Sequence, residues 1–278
     1  MRLILALVLF FAVGATAQTN ALSDAEIQGR QLAQQLCEAK PEQNFTNSGI
    51  MKIRIKAKIQ PDLSLQVETV AKPESWQVSY TVLSFNDGTN DWITRGKTLK
   101  IEHSLWLPSH YEITDWSEHG IKSNGVPMTN FEVDKNHNVK STTTISSSTS
   151  AVSEVDFFTS FANSDFWLCD LGLEFFHWPQ QKVLPKSTNL KRGRDYTLLE
   201  STNPNPAKNG YSRVLSWIDK ETGGLLQAEA YDTQGKLLKV FEPKSSGKDN
   251  NGQWQVEEIQ IRNVQTDSRT RLEFDLKP

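Results

Sequence analysis

Apolar and polar residues alternate strictly through GIMKIRIKAKI, residues 49–59. Met51, Ile53, Ile55, Ala57 and Ile59 fall on one side, and Lys52, Arg54, Lys56 and Lys58 on the other. A period of two with one apolar and one basic face predicts an antiparallel strand with one side in water. The same pattern recurs in 75–85, through Trp76, Val78, Tyr80 and Val82, and in 97–106, through Leu99 and Ile101. It returns in six segments, 194–202, 211–219, 224–232, 236–243, 252–263 and 268–276, punctuated by Asn209-Gly210, Gly223-Gly224, Gln234-Gly235 and Asn251-Gly252. Short strands separated by such turns predict an antiparallel meander. Residues 107–137 are expected to be turn-rich, and the tract 140–150 fits either an edge strand or a loop.

Two regions break the alternation. Ser23-Asp24-Ala25-Glu26 is a capping box, and Ala25, Leu32, Ala33 and Leu36 share a face, so a helix is expected from about 23 to 39, stopped before Pro41. In 154–178, Phe157, Phe158, Phe161, Phe166, Trp167, Leu171, Phe175 and Trp178 are spaced as on helices. Asn163 and Gly172 interrupt the spacing, which fits two short helices, the second starting near Asp165 and ending before Pro179.

The N-terminus changes the picture of where this β-rich chain works. Arg2, an apolar run from Leu3 to Val13 and Ala15-Thr16-Ala17 have the form of a secretory signal peptide. The expected organisation is a signal over 1–17 and a single domain over 18–278. No later stretch is apolar for the ~18 residues of a spanning helix, and the sequence before Cys37 lacks a lipobox, so a soluble, exported, periplasmic protein is expected. Export makes the two cysteines, Cys37 and Cys169, candidates for a disulfide. The loop of roughly 130 residues would be worth about 5 kcal/mol at most. The alternative is a pair of buried thiols acting as small hydrophobes. The formal net charge is −3 with dispersed lysines and arginines, which excludes the basic footprint of a nucleic-acid binder.

Motif chemistry is missing. The five histidines make no His-Glu-x-x-His pair, and neither Cys-x-x-Cys nor Gly-x-Ser-x-Gly occurs. Arg95-Gly96-Lys97-Thr98 resembles the end of a phosphate loop, but Asp91 stands where its first glycine belongs. Neighbouring carboxylates such as Glu257-Glu258 point to opposite faces of a strand. No metal, cofactor or enzymatic activity is expected. Eight tryptophans leave two accounts open: a filled sandwich core, or a curved sheet with an unfilled concave face.

The C-terminal third carries a resemblance. Trp217 to Thr222 (WIDKET), Ala228 to Asp232 (AEAYD), Gly235 to Lys239 (GKLLK), Gly252-Gln253-Trp254 and Thr270 to Phe274 (TRLEF) occur in an order similar to the meander of the outer membrane lipoprotein-sorting protein-like, or LolA/LolB-like, family. Asn163 to Phe166 followed by Asp170-Leu171 resembles the same family's Ser-Asp-Phe…Asp-Leu segment. The resemblance covers roughly residues 45–277. It implies a mainly β fold with a few helices, α+β in class: a strongly curved antiparallel sheet forming an unclosed half-barrel plugged by short helices. It also implies a carrier that holds lipid or lipoprotein acyl chains and passes them between membrane-bound donor and acceptor proteins on the way to the outer membrane.

On that basis the expected lining of a hydrophobic cavity is Met51, Ile53, Ile55, Trp76, Val78, Tyr80 and Val82, with Phe166, Trp167, Leu171 and Phe175 as a lid. Two alternatives remain. One is an envelope scaffold with a filled core that binds protein through a patch such as Lys52, Arg54, Lys56 and Lys58. The other is a hydrolase acting on envelope material, recognisable by a Ser–His or carboxylate pair converging in a cleft.

Overall fold

The computed structural model describes residues 22–87, 91–104, 109–123, 126–128, 130–133, 139–142, 144–151, 156–186, 188, 190–248 and 254–276. The expected signal peptide, Trp106 and the Asn124-Gly125 turn lie outside them. A first helix, α1 (Asp24–Cys37), leads into β1 (Phe45–Ile55), β2 (Lys58–Ile59), β3 (Leu63–Ala71), β4 (Ser75–Asp87), β5 (Asp91–Ser104) and β6 (His110–Ser123). The short strands β7 (Val126–Met128), β8 (Asn130–Val133) and β9 (Val139–Thr142) precede β10 (Thr144–Ala151). One helical turn, α2 (Leu168–Leu171), and a 3-10 turn, Glu174–His177, separate this half from β11 (Gln180–Leu184). The second half is β12 (Tyr196–Thr202), β13 (Arg213–Asp219), β14 (Leu225–Tyr231), β15 (Leu237–Lys248), β16 (Trp254–Asn263) and β17 (Ser268–Asp275).

Thirteen of these strands form one antiparallel sheet in the order β10-β6-β5-β4-β3-β1-β17-β16-β15-β14-β13-β12-β11, and it does not close into a barrel. The pairing of β1 with β17, Met51 opposite Leu272, joins the two meanders at the middle. The sheet's edges are therefore β10 and β11, which come from the middle of the chain. The segment connecting them has to travel from one edge to the other. That segment contains the aromatic run 156–178, so the topology itself delivers the plug to the sheet.

The plug serves two cores. Phe161, Phe166 and Leu168 pack with Met51, Ile53, Leu65, Val67, Leu99 and Ile101 beneath the first half. Cys169, Phe175 and Phe176 pack with Ala33 of α1 and with Leu199, Tyr211 and Val214 beneath the second half. Extended backbone at Trp167 (φ −88°, ψ 165°) sends Phe166 to one core and Trp167 to the other. A single helix over 165–178, as the spacing suggests, is replaced by two separate turns. Leu173 between them lies in the left-handed region at φ 50°, which stops either turn from continuing.

Several strands depart from the sequence-based expectation. Residues 107–137 contain the 14-residue strand β6, whose Tyr111 is buried and pairs opposite Ile101. β3 alternates Leu65, Val67 and Thr69 inward with Gln66 and Glu68 outward. β11 is an edge strand of mixed polarity that carries little alternation. Of the tract 140–150, residues 140–142 lie in β9, which pairs with β8, and 144–150 lie in β10, the outer edge of the large sheet. Arg95–Thr98 lies inside β5, paired to both neighbours, so its amides are committed to the sheet.

α1 keeps its capping box: the Ser23 amide donates to Glu26 Oε2 at 2.8 Å, and the Glu26 amide donates to Ser23 Oγ. The helix lies directly on β11. A Cβ on Gly29 would stand 2.5 Å from the Lys182 amide nitrogen, so only glycine permits this approach.

Candidate functional site

β4 places Trp76, Val78 and Tyr80 on the inner face of the sheet, because alternate residues of a strand share a face. Opposite them stand Leu171 and Phe176 of the plug and Leu36 and Cys37 at the end of α1. Between these groups is a cavity of about 200 Å³. Tyr80 spans it, its hydroxyl donating to the Leu171 carbonyl at 3.4 Å. Burial pushes the Tyr80 phenol up to about 12.

His103 and His177 complete the wall. His103 stacks on Trp76, with ring centroids 5.0 Å apart and planes 16° apart. Ser109 Oγ lies 3.0 Å from His103 Nδ1 and 3.5 Å from His177 Nε2. Burial lowers the pKa of both imidazoles, His103 to about 4, so both are neutral at neutral pH.

Behind the cavity the plug is pinned by charge. Lys239 of β15 and Asp170 of α2 form an ion pair at 3.2 Å with side chains only 2% and 5% exposed. The Lys239 ammonium also donates to the Asp165 carbonyl at 2.7 Å and sits 3.4 Å from the centre of the Trp167 ring. Tyr211 donates to Asp170 Oδ1 at 2.8 Å, and the Trp167 amide donates to Oδ2 at 2.8 Å. Asp165 accepts hydrogen bonds from Ser268 and Thr270 of β17. Asp165, Asp170, Lys239 and Thr270 all belong to the segments that carry the family resemblance. Their shared role here is to staple the plug to β15 and β17.

A second buried carboxyl, Glu174, accepts a hydrogen bond from Tyr111 at 2.8 Å, and burial raises its pKa to about 7. Gly172 lets this pair form: a Cβ there would stand 2.0 Å from the Tyr111 hydroxyl oxygen. A larger, more polar hollow of about 420 Å³ lies on the other side of α1, between Gln28, Leu32 and Gln35 and the strand residues Val183, Tyr196 and Leu198.

The expected lining residues divide into three groups. Trp76, Val78 and Tyr80 line the cavity. Met51, Ile53 and Val82 are buried in the first core. Ile55 is 45% exposed, because it is the last residue of β1 and lies beyond the reach of the plug. Of the expected lid, Leu171 faces the cavity, while Phe166, Trp167 and Phe175 pack in the cores. In the basic strand face, Lys52 pairs with Glu273 at 2.7 Å and Arg54 with Asp267 at 3.7 Å, so half of that patch is already answered within the chain.

Where a disulfide is expected, the structure has two free thiols, Cys37 and Cys169, both in the second core. Burial raises both, Cys37 to about 12, which keeps them protonated and unreactive. We expect both to resist iodoacetamide in the folded protein and both to react after denaturation without reductant. A denatured mass with no added alkyl groups would reveal a bridge instead. Ser109 and the two histidines carry no motif signal in the sequence, since 103, 109 and 177 follow no recognised spacing. A hairpin reading of β5 and β6 would have set His103 beside Ser109, because Glu102 pairs with His110.

Among the described residues, no group of three or more His, Cys, Asp or Glu is placed to hold a metal ion, and no helix is long and apolar enough to cross a membrane. At the cavity the Ser109 hydroxyl is shared between two imidazoles, those of His103 and His177.

Known structures share this architecture. A DUF1329 family protein from Desulfovibrio piger superposes with a TM-score of 0.59 at 17% identity, over 91% of this chain and 92% of that one. A domain described as an outer membrane lipoprotein-sorting protein, from Vibrio parahaemolyticus, superposes with a TM-score of 0.55 at 18% identity, over 90% and 91%. A LolA superfamily protein from Nitrosomonas europaea is more distant, at 0.48 and 12%, over 91% and 92%. No curated protein matches the sequence. A family model with the description "-like: Uncharacterized protein" matches residues 128–276, more than half of the chain.

The chain belongs to that family, and its fold is LolA-like. In this LolA-like chain the matched region holds the whole plug, the buried ion pair and the second meander.

Proposed function

We propose that this chain is a periplasmic carrier that binds a lipid, or the acyl groups of a lipoprotein, without catalysis, and hands it from a membrane-bound donor to an acceptor. The observation that carries the reading is the apolar cavity between Trp76, Val78 and Tyr80 and the plug. Each buried methylene contributes roughly 0.8 kcal/mol, so a sixteen-carbon chain gains about 12 kcal/mol before ordering costs. A space of about 200 Å³ is smaller than the ~300–1,000 Å³ of ordinary ligand sites. A long chain therefore needs the hollow to widen.

The part that yields in this reading is α1. Only Gly29 and Ala33 of its fourteen residues are buried, and it walls both the apolar cavity and the larger polar hollow. The plug is held by the Lys239–Asp170 pair and stays in place.

Protein isolated from its native envelope without detergent should carry extractable lipid in native mass spectrometry. Val78→Trp, which fills the cavity, should lose it. A lipid-free wild-type protein that also ignores acyl probes would defeat the reading.

A further inference from the structure

From the wall of the cavity we infer that its ligand presents an uncharged, hydrogen-bonding head group to His103 and His177, and that carboxylate and phosphate heads are rejected. The inference rests on the carrier reading and adds the chemistry of the head. His103, Ser109 and His177 form a relay in which one hydroxyl joins two rings. Ser109 occupies Nδ1 of His103 and Nε2 of His177. Among the described residues, His103 Nε2 and His177 Nδ1 have no hydrogen-bond partner, and both rings belong to the cavity wall. They are the polar groups available for orienting a ligand in an otherwise apolar space, the usual composition of a small-molecule site.

The charge of the head follows from what is absent from that wall and what is close behind it. Among the described residues, no lysine or arginine lines the cavity. Both imidazoles are neutral, and the Glu174 carboxyl is near enough to raise the Cys37 thiol. Among the described residues, the other titratable groups facing the space are Cys37 and Tyr80, both protonated. An anionic head would enter without a counter-charge and against Glu174, the costly case for a buried ion. A hydroxyl or an ester carbonyl needs only a donor and an acceptor, which two neutral imidazoles supply. A monoacylglycerol or fatty alcohol therefore fits, and a free fatty acid or an alkyl phosphate does not.

The test is titration of the full chain at pH 7.5 with monodecanoylglycerol, decanoate and decyl phosphate, each below its critical micelle concentration. Monodecanoylglycerol should bind at least tenfold more tightly than either anion. His103→Phe, which keeps the stack on Trp76 but removes the ring nitrogens, should shrink that preference. The wild-type ranking decides the matter even where the variant fails to fold. Equal binding of all three, or tighter binding of an anion, overturns the inference and leaves the carrier reading standing. No binding of any of them removes both. Release of decanoate from the monoacylglycerol would also overturn it, since Ser109 would then be a nucleophile and not a bridge.

Discussion

Lys239→Ala is expected to lower folding stability by about 3–5 kcal/mol, the usual cost of stranding one member of a buried ion pair. Asp170 would be left with an unpaired carboxylate at 5% exposure, and Trp167 and the Asp165 carbonyl would lose the ammonium they share. Asp170→Ala should be of similar size, since it frees a buried lysine and leaves the Tyr211 hydroxyl without its acceptor. The double variant Lys239→Met with Asp170→Leu should lose less than the sum of the single changes, because neither charge then remains buried. Urea unfolding at pH 7 measures all of these. A loss below about 1 kcal/mol for Lys239→Ala would mean that the plug is held by apolar packing alone. The same experiment bears on the carrier reading, which assigns movement to α1 because the plug is pinned. Increased protease cleavage within 156–178 in the Lys239 variant, with α1 unaffected, would agree with that assignment.

The second large effect concerns pH. Glu174 has a folded-state pKa of about 7 against an ordinary 4.5, raised by burial and partly offset by the Tyr111 hydrogen bond. Between those values the folded protein holds more protons than the unfolded chain, so stability falls as pH rises. The contribution of this group is fully present below pH 4.5 and is lost as pH passes through about 7. The loss is about 3 kcal/mol at 1.36 kcal/mol per pH unit. Glu174→Gln should remove that slope, leaving stability near pH 4.5 little changed and raising it at pH 8. Tyr111→Phe should steepen the slope, because the hydroxyl that favours the carboxylate is gone. Unfolding curves at half-unit steps from pH 4.5 to 8 resolve both. An identical slope in wild type and Glu174→Gln would assign the dependence to another group.

These two sites explain how much of the molecule could be read from its sequence. The second meander is legible almost to the residue, with expected strands at 211–219 and 268–276 against observed Arg213–Asp219 and Ser268–Asp275. Alternation and Gly-containing turns are local properties, and antiparallel hairpins convert them directly into structure. The capping box of α1 is legible for the same reason: both partners lie within four residues. β6 is hard to read because beyond Tyr111 and Ile113 its sequence keeps no apolar alternation, and β11 because an edge strand need not alternate.

The candidate site was legible only on its sheet side. Trp76, Val78 and Tyr80 share a face by period two, and they do line the cavity. The same rule places Ile55 with them, and it fails there because periodicity names a face without saying where the plug ends. Lys239 reads as an ordinary strand residue, although its partner Asp170 is 69 positions away.

The sequence by itself determined the second meander, the alternating faces of β1, β4 and β5, the first helix and the presence of an aromatic segment too apolar for water. The tertiary structure decided the rest. It alone put β1 beside β17, which made β10 and β11 the edges and sent 156–178 across between them. It alone left a cavity with two neutral histidines joined through one serine. The physical reason is that strand formation depends on neighbours in sequence, whereas a cavity, a buried charge and a shifted pKa depend on which distant surfaces exclude water together.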